Sequence, residues 1–389
     1  MGSAEGRADT GARGAWVESV VHPLRPRGGT PFVLGAFEGE GVGPDVVAAA
    51  LDVLAALAAS GEVDVAVQRA PRGGRPAGEL SPEIAGFCRD VFDAGGAVLA
   101  GAAAGRFVYD LRARFDLFCK LVPLRPSPAL AKVGALKREH LAGVDVLLVR
   151  ENVAGVYQGR GAIAAADDGQ RRAEHTFAYS EPEVQRIVSV AARLARRRRG
   201  ALAVVVKDGG VPAMTTLWRD AGTAIAAAAG VDVTFVNVDL AAYRLVQEPR
   251  TLDVVVAPNL YGDVLADVGA VLLGGRGLSH SGNFSGTGAA VYQTNHGSAL
   301  DLAGTDRANP AGQILALAML LRESGGFDRA AARIEAALEE VWASGWRTAD
   351  VAEPGCRIVG TREMGARIAD AVSRPTAAGK LHEASAAAG

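Results

Sequence analysis

The chain has 389 residues, enough for two lobes or subdomains rather than one small core. A hydrophobic content of 49% and a formal net charge of −2 describe an ordinary soluble chain and exclude the basic bias of a nucleic-acid binder. The cysteines Cys88, Cys119 and Cys356 are scattered and odd in number, giving neither a disulfide framework nor metal spacing, so a reducing, cytoplasmic setting is expected. No apolar run reaches membrane-spanning length, and the N-terminus lacks a signal peptide's apolar core.

In chain order, residues 1–28 are rich in Gly, Arg, Ala and Ser without periodicity and read as a mobile leader. Pro31–Phe37 is a short apolar strand; the turn from Gly39 to Gly43 then opens a helix near Pro44, where proline suits a first turn. Strand 62–68, helix 82–94 and strand 97–100 continue an α/β alternation. A second set follows: strand Val144–Val149, helix Glu183–Arg199, strand Leu202–Val206, helix Pro212–Ala229 and strand Val231–Val236. The run Arg196–Arg199 closes its helix where cations favour the dipole, and with nothing aromatic interleaved it reads as a solvated terminus. The strand Leu252–Ala257 then enters another helix through Pro258. A glycine- and serine-rich stretch, 274–288, reads as a mobile loop that closes over a ligand. Helices at 309–323, 327–344 and 361–373 precede a flexible tail, 374–389.

The stretch Asn259–Asp267 (NLYGDVLAD) sets Asp263 and Asp267 four residues apart, hence on one helix face. Two adjacent anions repel unless protons or a cation neutralise them, and a hard divalent ion held by oxygens is one resolution. Two ordinary acids on a solvated face are the other, and the residues alone do not separate these readings. No GxGxxG follows the first strand, and the spacing in GEGVG does not match one, so a Rossmann site is not expected.

NLYGDVLAD resembles the signature of the β-decarboxylating dehydrogenases, the isopropylmalate, isocitrate, homoisocitrate and tartrate/D-malate dehydrogenase family. Matching segments follow in the family's order: GEGVGPDVV from Gly39, LRARFDLF from Leu111, VRENVAGVYQG from Val149 and HGSALDLAGTDRANP from His296. The resemblance implies a two-lobed α/β fold with a mixed sheet and an open cleft, not a Rossmann fold. One lobe would combine 29–140 with 274–373, and 141–273 would form the central lobe with the metal site and dimer contacts. It further implies a homodimer whose clefts are completed by the neighbouring subunit.

The implied reaction oxidises a 2-hydroxy acid that bears a carboxylate on the next carbon. Hydride passes to NAD(P)⁺, CO₂ leaves, and the enolate is protonated. By resemblance, Asp239, Asp263 and Asp267 hold Mg²⁺ or Mn²⁺; Asp239 by itself reads equally as a helix cap. Lys207 matches the base for the hydroxyl, contributed across the dimer interface, and Tyr157 the acid that reprotonates the enolate; read alone, they are a solvated amine and a packed tyrosine. Arg112 and Arg150 match substrate-binding arginines, whose guanidinium forks suit carboxylates. His296, Gly297, Ser298 and Asn309 match the adenosine-binding loop. Asp301 and Leu302 stand where NADP-dependent members carry lysine and tyrosine, which favours NAD, because a carboxylate accepts from ribose hydroxyls and repels a 2′-phosphate.

The chain departs from the family at several positions. Val122 replaces a third arginine in CKLVP; Lys120 and Arg125 flank it, neither at the arginine's position, and only Lys120 shares its face in an extended segment. Gly209 replaces an asparagine, and Gln293–Asn295 replaces an acidic-proline pair. In the specificity segment Phe107, Val108 and Tyr109 suit an apolar or aromatic substituent, Arg106 suits an extra anion, and all of them could simply pack the cleft wall. These departures point to a substituted malate in a specialised pathway. Two further readings stay open: a catalytically silent regulatory subunit, and oxidation without decarboxylation.

Overall fold

The structure, a computed structural model, describes residues 16–20, 31–71, 78–165 and 169–374. Its strands are β1 (Phe32–Phe37), β2 (Val65–Arg69), β3 (Ala97–Ala100), β4 (Cys119–Leu124), β5 (Val146–Glu151), β6 (Arg160–Ala165), β7 (Arg171–Thr176), β8 (Ala201–Val206), β9 (Asp232–Asn237), β10 (Val254–Ala257), β11 (His280–Phe284) and β12 (Ala290–Thr294). Its helices are α1 (Gly43–Ala59), α2 (Pro82–Asp93), α3 (Phe107–Arg114), α4 (Arg138–Leu141), α5 (Glu181–Arg196), α6 (Pro212–Ala229), α7 (Val238–Gln247), α8 (Asn259–Leu273), α9 (Ala311–Glu323), α10 (Asp328–Ala343) and α11 (Thr361–Ser373). No described helix is long and apolar enough to cross a membrane.

Ten strands form one mixed sheet in the order β2-β1-β3-β12-β11-β4-β5-β10-β8-β9. Pairing is antiparallel at β12/β11, β11/β4 and β4/β5 and parallel elsewhere. The near-continuous apolar runs of β5, β8 and β10 reflect burial on both faces. Leu147, Val149, Leu202, Val204, Val254 and Val256 point to the core beneath α5 and α6. Their neighbours Val146, Leu148, Ala203, Val205 and Val255 join Leu265 and Ala266 of α8 on the other face. This alternation decides what reaches the site, because Arg150 follows Leu148 by two and shares the α8 face.

Helix α5 starts two residues earlier than its apolar pattern indicates, because Ser180 and Glu183 form a capping box. Three expectations are corrected. The segment 274–288, expected to be a mobile loop, contains β11, paired on both sides, with Ser281, Asn283 and Ser285 buried. Glycine and serine pack there because Gly282 lies against the Phe284 and Tyr292 rings, where a Cβ would fall 2.6 Å from Phe284. Residues 16–20 of the expected leader are docked, with Val17 and Val20 buried, the Val17 amide donating to Glu323 at 3.0 Å and Arg193 donating to the Ser19 carbonyl. The rest of that leader, and 375–389 of the tail, lie outside the described residues. The arginine run is not simply solvated: Arg198 pairs with Asp253 at 2.8 Å and Asp145 at 3.0 Å, and Arg197 with Glu18 at 2.9 Å.

Candidate active site

The C-terminal ends of β5, β8 and β10 meet the N-terminal end of the antiparallel β4 along one sheet edge, the place where open α/β sheets bind ligands. Arg150, at the end of β5, is only 1% exposed. Its Nε and Nη2 donate to Asn259 Oδ1 at 3.1 and 2.8 Å, and Nη1 donates to Asp263. Asn259 is fixed in turn, since its amide donates to the Ala154 carbonyl at 2.8 Å and its backbone N–H to the Tyr179 hydroxyl at 2.9 Å. Gly262 lets α8 lie directly on the arginine stem: a Cβ there would fall 2.8 Å from Arg150 Cγ.

Tyr157 sits in a short turn after β5, and its hydroxyl donates to the second oxygen of Asp263 at 2.9 Å. Burial opposes ionisation of Asp263, but Arg150, Lys120, the Tyr157 hydroxyl and Arg112 together hold it below the ordinary carboxylate range. Burial, reinforced by the Asp263 charge, raises Tyr157, so its hydroxyl stays protonated at neutral pH. The turn carrying Tyr157 is braced by Glu151, whose oxygens accept from the Val153 and Ala154 amides at 3.1 and 2.9 Å and whose pKa burial raises to about 7.

Arg112 and Lys120, 5% and 4% exposed, lie near enough for their charges to reach Arg150 and Asp263. Burial, then Arg150, brings Arg112 down to about 9. Burial, then Arg112 and Arg150, lowers Lys120 well below its usual value. Tyr109 packs on Tyr157 with ring centroids 5.1 Å apart, beneath the guanidinium of Arg106 at 5.5 Å and that of Arg112 at 5.7 Å. Arg106 itself donates to the Tyr157 carbonyl at 3.1 Å and lies 3.5 Å from Asp110. Phe107 is core, stacked on Phe37 at 4.9 Å, and Val108 packs against the same cluster, so the specificity segment is the first turn of α3 with Tyr109 and Arg106 towards the site.

Asp267 shares the α8 face but pairs with Arg276 at 3.2 Å. Asp239, in the first turn of α7, pairs with Lys207 at 3.0 Å, and this ion pair lowers its pKa. Among the described residues no hydrogen bond or ion pair joins this pair to Asp263 or Tyr157, although Tyr261 of α8 feels the Lys207 charge. Among the described residues of this one chain, no three acidic, histidine or cysteine side chains gather into a group that could hold a metal ion.

On the opposite flank the GEGVG turn carries the HGS loop. Val42 N donates to the Ser298 carbonyl at 2.9 Å, Ser298 Oγ donates to Glu40 at 2.8 Å, and a Cβ on Gly41 would collide with the Ser298 carbonyl. His296 Nδ1 lies 2.9 Å from the Gly297 carbonyl, and burial lowers its pKa. Asp301 is exposed; Leu302 packs against the cluster of Val42, Val46 and Ala308. Asn309 is buried just before α9, accepting from Ala311 N at 3.0 Å and donating to Asp350 at 3.1 Å.

Reading the sequence for charged ligands missed the residues that brace the site: Asn259, Gly262, Glu151 and Gln158, whose amide donates to the Tyr109 carbonyl at 3.2 Å. A polar residue squeezed between Pro258 and an apolar helix was the available signal for Asn259.

The description "Isocitrate/isopropylmalate dehydrogenase" matches residues 34–368. A 3-isopropylmalate dehydrogenase of Synechococcus sp. (strain JA-3-3Ab) is 40% identical over 366 residues, covering 89% of this chain and 94% of that one. One from Thermosynechococcus vestitus is 36% identical, covering 89% and 99%. Isocitrate dehydrogenase from Methylococcus capsulatus superposes with a TM-score of 0.78 at 29% identity, covering 88% of this chain and 100% of that one. The chain therefore belongs to the isocitrate/isopropylmalate dehydrogenase family and is a decarboxylating hydroxy-acid dehydrogenase.

Proposed function

We propose that this chain oxidises and decarboxylates a substituted malate with NAD⁺ and Mg²⁺ or Mn²⁺, as a homodimer with shared active sites. The observation that carries this reading is Asp263, kept ionised between a buried Arg150 and a protonated Tyr157 beside two more buried cations. Asp263 and Asp267, joined by Asp239 of a second copy, would hold the cation; hard carboxylate oxygens and the absence of soft ligands suit it. When bound, it supplies the positive charge that makes the substrate hydroxyl acidic and an enolate tolerable. Arg112 and Arg150 orient the carboxylates. Lys207 takes the hydroxyl proton once its own is released, and Tyr157 returns a proton to carbon. Asp301, beside the His296–Ser298 loop, favours NAD over NADP through its charge.

The test is turnover of the purified chain with NAD⁺ and Mn²⁺ on 3-isopropylmalate and a panel of 3-substituted malates, following NADH and CO₂ together. NADH and CO₂ in equal amounts on at least one malate is the expected result. Silence across the panel would favour a regulatory subunit, and NADH without CO₂ would remove the decarboxylation step.

A further inference from the structure

Lys120 presents a physical problem that the proposed chemistry does not by itself resolve. It is 4% exposed, yet no hydrogen bond or ion pair to its ammonium occurs among the described residues. The acids whose charge reaches it are already engaged: Asp263 with Arg150 and Tyr157, Asp267 with Arg276. Its strand neighbours are Arg150 on β5 and Asn283 on β11, and the Asn283 side chain is committed to Asn152 and the Val291 carbonyl. Arg112, the other cation in reach, has a buried Nε without a partner. A desolvated cation without an acid hydrogen-bonded to it is costly, and Lys120 and Arg112 are near enough for their charges to repel.

Position 122 explains the arrangement. Val122 is 0% exposed and fills the core beneath α8 with Leu124, Leu148, Val205 and Leu265. Lys120 points the same way one step closer to the strand end, level with Arg150. We infer that Lys120 is the residue that selects for a second anionic group on the hydroxy acid, binding it with Arg112 in place of the arginine that Val122 removes. This deepens the proposed function, whose substrate carries two carboxylates. The cation has moved along β4 rather than disappeared. A lysine is a point charge on a flexible stem, so it holds the anion without the planar register of a guanidinium fork.

Binding to the whole chain with Mn²⁺ and no NAD⁺ tests this by calorimetry, comparing racemic malate with racemic lactate, which differ by the second carboxylate. The wild type should prefer malate. Lys120→Met should weaken malate binding at least ~10-fold, the scale of one charge-assisted contact, and change lactate less than about 3-fold. The same substitution removes a buried unpaired charge, so the ligand-free protein should melt a few degrees higher. Lys120→Gln is the second variant should the first not fold, with the same expected loss. Equal losses for both acids, an unchanged malate affinity, or a lower melting temperature would overturn the assignment. No turnover enters this assay, so a wild type that binds malate through Lys120 but never reduces NAD⁺ refutes the proposed activity and leaves the inference standing.

Discussion

Gly262→Ala should damage this protein even though the substitution favours a helix. In an exposed helix the exchange stabilises by about 0.5–1 kcal/mol, because alanine loses less backbone entropy. At Gly262 the new methyl would lie 2.8 Å from Arg150 Cγ and 2.9 Å from its Cβ. That stem cannot swing away, since the guanidinium is fixed by Asn259 and Asp263. Overpacking of this kind costs about 1–3 kcal/mol, more than the helix gain, so a net loss near 1–2 kcal/mol is expected. The melting temperature should fall by roughly 1–3 °C. A shifted guanidinium would also misplace the Asp263–Tyr157 pair, and displacement of that size costs up to about 10²-fold in kcat/KM. Gly209→Ala is the control, because nothing lies within 4 Å of a Cβ there and its stability should not fall. Thermal melting and steady-state kinetics on both variants decide the matter. A Gly262→Ala protein as stable and active as the wild type would refute the claim that α8 rests on the arginine stem.

Glu323, whose pKa burial raises from 4.5 to about 7, binds more protons folded than unfolded between those values, so stability should fall as pH rises through that window. Glu323→Gln should flatten that slope and raise the melting temperature above pH 7, measured by thermal scans across pH. Asp301→Lys removes the carboxylate expected to repel a 2′-phosphate, so the NADP⁺-to-NAD⁺ ratio of kcat/KM should rise by about 10-fold or more. An unchanged ratio would move cofactor choice elsewhere.

Much of the fold was legible because strands buried on both faces carry uninterrupted apolar runs and helices carry a periodic stripe; β8 and α6 match their patterns almost to the residue. What was not legible depends on partners distant in sequence. Nothing in SHSGNF announces a central strand, since its small residues pay off only once Phe284 and Tyr292 pack across them. The arginines after α5 read as solvated because Asp145 and Asp253, their counter-charges, lie some fifty residues away in the chain. At the site, motif spacing identified the charged groups, while strand parity paired Lys120 with Val122. Only the register with β5 put Lys120 beside Arg150.

The two halves of the proposed chemistry differ physically. Tyr157 and Asp263 interlock through hydrogen bonds with the buried Arg150, whereas Lys207 and Asp239, 40% and 69% exposed, bond to each other only weakly by the standard of surface pairs. Such a surface pair adds little to one chain's stability, and both of its members are exposed enough to be offered together to a neighbouring subunit's site. If Lys207 acts on the site built around its partner's Tyr157, two inactive variants should complement each other. Co-expressing Lys207→Met with Tyr157→Phe in equal amounts gives mixed dimers as half of the population, each with one intact and one doubly damaged site. Recovery of about one quarter of wild-type activity is then expected from a two-fold dimer. Were Lys207 and Tyr157 to serve the same chain, every site would lack one of them, and the mixture would be as inactive as either variant alone.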